Sequence, residues 1–192
     1  MGLITFSTER FNVGVIADVG ARSAMEDTYL IVHDLGIEEF MKISMYAIID
    51  GHGGDWCAHY IRKRLPNELR KQLDDPILGF KNCKDVSINE CITNVFKRTF
   101  KEIDEGYYID MKDVAQKCGA AVCVVLIIGN RIFSANVGDS RAVLCRSGQA
   151  LNLSNDHKTV RKYIPNTVLD KTRRDRESKA SRRNDSGRES HE

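Results

Sequence analysis

The chain has 192 residues, of which 42% are apolar, and its 29 Lys and Arg nearly balance its 27 Asp and Glu. This size and composition predict one globular domain with room for a tail. The longest apolar runs, Met45–Ile49 and Ala120–Ile128, are far shorter than the roughly 20 residues of a membrane span, which argues against a membrane protein.

The first residues and the cysteines both indicate in which cellular compartment the protein lies. Residues 1–11 contain no cationic segment followed by an apolar one, so we expect an intracellular protein, in the cytoplasm, the nucleus or both. The six cysteines include no C-x-x-C pair, which argues against zinc and against a disulfide framework. Four of them stand in apolar patterns and are predicted to be core side chains: Cys57, Cys91, Cys123 and Cys145.

The first third of the chain predicts three strands and a helix. The strands are rich in β-branched residues and lie between Gly- or Asp-containing turns: Phe11–Ala17, Thr28–His33 and Ile43–Ile49. Asp55–Leu73 has apolar residues at a four-residue spacing and predicts a helix, which Pro66 should kink or restart.

The second half predicts a further helix and three strands. Ile88–Ile103 has a helical apolar stripe behind a Ser-x-x-Glu capping box at Ser87. Ala120–Ile128 is apolar throughout and predicts a strand covered on both faces, with a two-residue hairpin leading to Arg131–Val137. Ala142–Arg146 predicts another strand. These elements predict an α+β protein in which antiparallel sheets are flanked by helices.

The composition changes after residue 158. Residues 159–192 contain ten Lys and Arg against six Asp and Glu, and Ala180 is the only apolar residue beyond Lys171. We therefore expect a domain over residues 1–158 and a charged, disordered tail over residues 159–192. Acidic residues lie among the arginines of the tail and aromatic residues are absent after Lys171, which argues against nucleic-acid binding.

Polar residues gather at the turns next to the predicted strands. They precede the second strand, follow the third, and follow Arg131–Val137: Arg22, Glu26, Asp27, Asp50, Gly51, His52 and Asp139. If the second and third strands pair antiparallel, Asp27 and Asp50 lie at the same sheet edge, and the hairpin that ends at Val137 can bring Asp139 there.

Carboxylates that converge in this way repel one another unless a cation neutralises them, and oxygen ligands suit Mg²⁺ or Mn²⁺. A paired-metal site follows as a hypothesis, in which a metal-held water attacks phosphorus. Arg22 would grip phosphate oxygens, and His52 would donate a proton to the leaving alkoxide. Taken singly, Asp50 and its glycines are more typical of an ordinary turn.

The combination of four motifs resembles the metal-dependent serine/threonine protein phosphatases of the 2C type. The motifs are Arg22–Asp27, Asp50–Gly54, Asn136–Arg141 and Leu153–Lys158. The resemblance covers roughly Val13 to Lys158. It implies an α-β-β-α sandwich with the active site at one edge.

The resemblance also implies a role for each site residue. Asp50 corresponds to the family's bridging metal ligand and Gly51 to its backbone-carbonyl ligand, while Arg22 corresponds to the phosphate-binding arginine. Glu26 and Asp27 correspond to acidic residues of the metal shell, which act partly through water. His52 corresponds to the general acid, and Asp139 corresponds to an aspartate near a weaker additional metal site.

The sequence departs from the family pattern at two places. Cys118-Gly-Ala-Ala121 replaces the usual Gly-Ser-Thr-Ala. Members of the family also carry two further metal-binding aspartates in two later motifs, and neither motif follows Lys158 in this sequence. We therefore expect a partial sandwich truncated in its C-terminal part, with weaker metal binding and exposed sheet surface.

The expected function is the metal-dependent hydrolysis of phosphoserine and phosphothreonine in proteins, as part of signalling. We expect the truncation to impair this activity. The alternative is a catalytically silent chain that binds phosphoproteins or a partner protein through Arg22 and the exposed sheet. A weaker alternative, nucleic-acid binding through the tail, requires affinity that falls steeply with salt.

Overall fold

The computed structural model describes residues 2–7, 11–37, 42–75 and 87–157. Contacts divide the chain into two units, residues 1–158 and 159–192, and all described residues lie in the first. The predicted tail, residues 159–192, lies outside the described residues, and so does Lys158, the last residue of the fourth motif. The elements in chain order are β1 (Gly2–Ser7), β2 (Asn12–Ala17), β3 (Thr28–Val32), β4 (Ile43–His52), α1 (Trp56–Leu73), α2 (Ile88–Asp110), β5 (Gly119–Ile128), β6 (Arg131–Val137), β7 (Val143–Arg146) and β8 (Gln149–Asn152).

The predicted α+β class is confirmed. A four-stranded sheet with the order β3-β4-β5-β6 forms the centre, and every neighbouring pair in it is antiparallel. Helix α1 packs on β3, β4 and β5, and α2 packs on α1. The hairpins β1-β2 and β7-β8 form two-stranded sheets of their own within the described part of the chain.

The core lies between the central sheet and the two helices. Every second residue of β4 is buried from Ile43 to Ile49, because successive side chains of a strand point to opposite faces. Val124 and Leu126 of β5 are fully buried on the same face. On the other face Ile48 and Ile132 remain half-exposed, so the described residues cover the sheet fully on its helical face only.

Helix α1 presents the predicted apolar stripe to this core. Its residues at four-residue spacing are all buried: Cys57, Ile61, Leu65, Leu69 and Leu73. The predicted restart at Pro66 is wrong, because the helix continues through this residue with the stripe in phase on both sides. Burial of the leucines on either side outweighs the hydrogen bond that proline removes.

Helix α2 begins where predicted and ends later. The Ser87 hydroxyl accepts a hydrogen bond from the backbone N–H of Glu90, 3.3 Å away, as expected for the capping box. The helix runs seven residues past the predicted end at Ile103. Its last turn is tied to α1 by Asp110, which accepts hydrogen bonds from the Tyr60 hydroxyl (2.7 Å) and Arg64 (2.8 Å). In the described part of the chain no helix has the length and apolarity needed to cross a membrane.

Two strands were not predicted from the sequence. β1 pairs with β2, and β8 pairs with β7 through the turn at Ser147-Gly148. Both turn residues have positive φ, 52° and 75°, as a two-residue hairpin of this kind requires. Both strands are exposed where described, so neither carries the apolar alternation that a half-buried strand shows.

The cysteines follow the prediction only in part. Cys57 and Cys123 are buried and free, as expected for core side chains, whereas Cys145 is exposed. Cys91 is buried as predicted, but it is disulfide-bonded, so the expectation that the cysteines form no disulfides is wrong at this residue.

We predict that Cys145 reacts with iodoacetamide long before Cys57. Burial, followed by the charge of Asp104, raises the pKa of Cys57 to about 11. At pH 8 only about one in a thousand Cys57 thiols is then ionised, and the thiolate is the reactive form. Peptide mass spectrometry after brief alkylation should find Cys57 unmodified until the protein is unfolded. Equal labelling of both residues in folded protein would contradict this.

Candidate active site

The antiparallel pairing of β3 and β4 brings two aspartates together. Thr28 pairs with Ile49, so Asp27 and Asp50 occupy the next position at the same sheet edge, as predicted. Their carboxyl groups lie close enough for the negative charge of Asp27 to act on Asp50. This edge therefore holds two acidic groups side by side.

The β5-β6 hairpin delivers a third carboxylate to this edge. Asp50 pairs with Ala121 of β5, and Gly138 packs directly on Ala121. A Cβ on Gly138 would lie 2.4 Å from the Cβ of Ala121, so this approach requires glycine. Asp139 follows immediately, and its charge acts on Asp50.

Asp50 is the electrostatic centre of the group. Partial burial of its carboxyl raises its pKa, and the negative charges of Asp27 and Asp139 raise it further. The charge of His52 lowers the pKa of Asp50. The edge therefore carries excess negative charge, which a bound cation would relieve.

Glu26 and Gly51 fix how the segment before β3 meets β4. The Glu26 carboxylate accepts a hydrogen bond from the backbone N–H of Gly54 at 2.7 Å. The Glu26 carbonyl oxygen lies only 2.3 Å from the position that a Cβ on Gly51 would occupy. Gly51 is buried, and its missing side chain lets the Glu26–Asp27 backbone approach β4.

The turn after β4 is anchored by Cys118, a contact that the sequence did not indicate. The Cys118 thiol donates a hydrogen bond to the Gly53 carbonyl at 2.6 Å. Gly53 has a φ of +74°, and a Cβ there would meet the Lys117 carbonyl oxygen at 2.1 Å. The thiol thus fastens the glycine turn to the start of β5.

His52 lies over Gly119. The Nε2 atom of its imidazole is 2.7 Å from the position of a Cβ on Gly119, its partner in the β4-β5 register. The imidazole thus occupies the space of a side chain at residue 119. The glycine at residue 119 therefore leaves the room that the imidazole of His52 occupies.

Arg22 lies in the exposed loop before β3. Its backbone N–H donates to the Val19 carbonyl at 3.2 Å. Among the described residues, no group forms a hydrogen bond or an ion pair with its guanidinium. The structure therefore does not join Arg22 to the carboxylates, and it leaves the guanidinium available to an anion.

The segment 153–157 holds the turn that carries Asp139. Arg141 binds Asp156 through two hydrogen bonds of 2.9 and 2.6 Å, the bidentate geometry that favours arginine over lysine. The backbone N–H of His157 donates to the Gly138 carbonyl at 2.8 Å. The two motifs that contain these residues therefore meet in space and brace Asp139.

The carboxylates match a hard cation in chemical type but form an incomplete ligand set. Asp27 and Asp50 offer adjacent carboxylate oxygens, which Mg²⁺ and Mn²⁺ prefer. Over the described ranges, no group of three or more His, Cys, Asp or Glu side chains stands close enough to hold an ion. A cation here would need further oxygen ligands, such as water.

Comparison with known proteins supplies a family. The family model for protein phosphatase 2C matches residues 11–162. The chain is 34% identical to probable protein phosphatase 2C 76 of Arabidopsis thaliana over 142 residues, which are 74% of this chain and 30% of that protein. It is 32% identical to protein phosphatase 1L of Bos taurus over 155 residues, 80% of this chain and 41% of that protein. The chain thus spans less than half the length of these relatives.

Solved structures show the same fold at low sequence identity. A sex-determining protein of C. elegans superposes with a TM-score of 0.61 and 19% identity, over 75% of this chain and 34% of its own. A bacterial serine phosphatase superposes with a TM-score of 0.54 and 19% identity, over 82% of this chain and 61% of its own.

We predict that Gly51→Ala destabilises the protein by about 1–3 kcal/mol, because the added methyl forces the Glu26 backbone away from β4. Thermal unfolding followed by circular dichroism should show a Tm several degrees below wild type. In the control Gly106→Ala, the methyl lies inside α2, where the nearest atom is the Tyr60 hydroxyl at 2.8 Å, which can move aside only by weakening its hydrogen bond to Asp110. Because Ala favours a helix over Gly and the contact is with the end of a side chain, this control should lose less stability than Gly51→Ala. A Gly51→Ala variant as stable as wild type would contradict the steric account.

Proposed function

Because the chain belongs to the protein phosphatase 2C family, we propose that it hydrolyses phosphoserine and phosphothreonine in proteins with Mg²⁺ or Mn²⁺ as cofactor. The observation that carries this proposal is the convergence of Asp27, Asp50 and Asp139 at one sheet edge. Repulsion among these carboxylates is relieved by a cation, and a cation at such an edge attracts a phosphate group.

We assign the metal-binding roles to the residues at this edge. Asp50 would be the central ligand, supported by Asp27 and by the Gly51 carbonyl, and Asp139 would serve a weaker additional site. Glu26 already accepts a hydrogen bond from Gly54, so it orders the glycine turn and would act on a bound metal through water. When bound, Mg²⁺ or Mn²⁺ would supply a water of lowered pKa and stabilise negative charge on the phosphoryl oxygens.

Arg22 and His52 act on the substrate itself. Arg22 binds the phosphoryl oxygens through its guanidinium, which is free of other partners in the described part of the chain. His52 donates a proton to the leaving alkoxide of serine or threonine.

The exposure of the site suits a protein substrate. Arg22, Asp50, His52 and Asp139 all belong to exposed residues at one end of the domain's strands and turns. A phosphorylated segment of another protein can reach such an edge without entering a closed pocket. The proposal therefore includes phosphoprotein partners. We also propose a role in signalling and an intracellular location, which are the expectations from the sequence.

The incomplete ligand set supports a second candidate function. The chain covers only 26–47% of the curated relatives with which it was compared, and no group of three ligating side chains forms among the described residues. A chain with this deficit would bind phosphoproteins through Arg22 without turnover. The half-exposed Ile48 and Ile132 on the open sheet face would then contact a partner protein.

The decisive experiment is hydrolysis of a phosphothreonine peptide by the purified 192-residue chain with Mn²⁺. We predict that chelation of the metal abolishes turnover and that Asp50→Asn lowers the rate at least roughly 100-fold, because a lost ligand costs no less than a lost outer-shell partner. The matched control is Asp34→Asn, beyond the opposite end of β3, where the amide oxygen can still accept from Gly36.

Three outcomes separate the proposals. Metal-dependent turnover that is lost in Asp50→Asn and kept in Asp34→Asn supports the phosphatase. Equal turnover in both variants contradicts it. Folded wild-type protein without turnover that binds the phosphopeptide, with binding lost in Arg22→Ala, supports the silent alternative.

A further inference from the structure

Helix α2 ends in two adjacent apolar residues that the core does not use. Ile109 is 72% exposed, more than any other large apolar side chain in the described part of the chain, and Tyr108 is 56% exposed. The helix buries Ile103 and Tyr107 against the domain, so these two neighbours face outward. Neither side chain is needed for the fold.

Two open depressions lie on either side of Ile109. One, of about 400 Å³, is bordered by Tyr108 and Ala115, and the other, of about 230 Å³, lies between α1 and α2 beside Tyr60. Ile109 and Glu105 line both depressions, so together with the exposed pair they form one continuous surface, which we call the α2 surface. An exposed apolar pair between depressions is typical of a contact with another protein.

The α2 surface is acidic. Four carboxylates and one cation line its depressions: Glu68, Glu102, Asp104 and Glu105, with Arg64. The cation is already bound by Asp110 at 2.8 Å. Lysines lie 3.5 Å from Glu68 and 3.6 Å from Glu105, whereas Glu102 and Asp104 form no ion pair among the described residues. The charge left for a partner is therefore negative.

This charge selects the class of partner. A negative surface repels nucleic acids and anionic lipid headgroups, whose phosphates carry the same sign. It attracts a protein segment rich in arginine and lysine, and apolar side chains of that segment can cover Ile109 and Tyr108. The complementary partner is a basic segment with apolar residues in it.

The α2 surface adjoins the candidate active site. Asp104 and Tyr107 border the depression beside Tyr108, and they also line a larger cavity that reaches His52. A segment bound to the surface is thus separated from His52 by the width of this cavity, which a few extended residues span.

We propose that the α2 surface docks a basic segment, interspersed with apolar residues, of the phosphoproteins on which the candidate site acts. The segment is distinct from the phosphorylated residue. Contact with Ile109 supplies most of the affinity, while Glu102 and Asp104 select for cations. The identity of the partner as a phosphoprotein rests on the proposed function, but binding at the surface needs neither metal nor turnover.

A peptide without phosphate tests the surface itself. The probe is fluorescein-labelled Arg-Lys-Leu-Arg-Lys-Leu-Leu-Arg-Lys, titrated with the full chain and followed by fluorescence anisotropy. We expect saturable binding that weakens as salt rises. Ile109→Ser should weaken it about tenfold, whereas the control Ile16→Ser, at another exposed isoleucine (55%), should bind as wild type does. Circular dichroism checks that each variant is folded.

Charge variants test the selection for cations. Glu102→Gln combined with Asp104→Asn should weaken probe binding about fivefold. The control combines Asp34→Asn with Glu90→Gln, at exposed residues outside the α2 surface. It changes the net charge by the same amount and should leave binding unchanged.

Turnover tests the link to the substrate. A phosphothreonine peptide that carries the basic segment should have a KM about tenfold lower than the same peptide without it, at equal kcat. Ile109→Ser should remove this difference.

The outcomes separate this proposal from the proposed function. Folded wild-type protein that hydrolyses phosphopeptides but does not bind the probe, or equal binding by Ile109→Ser and Ile16→Ser, overturns the docking surface alone. Equal KM values for the two peptides overturn its role in substrate docking. Probe binding that is lost in Ile109→Ser, without hydrolysis of either peptide, supports the surface and contradicts the phosphatase. Dimerisation in sedimentation velocity that Ile109→Ser abolishes would assign the surface to a second copy.

Discussion

The antiparallel register of β3, β4 and β5 places acidic side chains where they repel one another. Thr28 opposite Ile49 puts Asp27 beside Asp50, and Asp50 opposite Ala121 puts it within reach of the turn after β6. A one-residue slip in either pairing would turn Asp50 to the buried face. The apolar face of β4 against α1 opposes such a slip, so the hydrophobic core holds the carboxylates together against their repulsion.

Close backbone contacts around this edge depend on small residues. Gly51 admits the Glu26 carbonyl, Gly138 admits Ala121, and Gly119 admits the His52 ring. Each contact brings two elements nearer than side chains would allow. The Cys118 thiol adds a hydrogen bond to Gly53 and couples the glycine turn to β5. The hydroxyls that the 2C-type pattern carries at residues 119 and 120 are absent, and the imidazole fills part of that space.

Much of this arrangement was predictable from periodicity, because burial imposes a repeat on the sequence. The stripe of α1 and the apolar run of β5 identified their elements, and strand parity placed Asp27 and Asp50 together. What failed depended on contacts distant in sequence. The end of α2 is held by Tyr60 and Arg64 from another helix, and the Cys118 contact joins residues 65 positions apart. Exposed β1 and β8 had no burial pattern to reveal them.

The central claim is that the carboxylates at this edge form a cation site in the chain as it stands. Isothermal titration calorimetry with Mn²⁺ on the 192-residue chain tests it without any assumption about turnover. The account predicts saturable binding that Asp50→Asn eliminates and Asp34→Asn preserves. Absence of Mn²⁺ binding by folded protein, or equal binding by both variants, would contradict it.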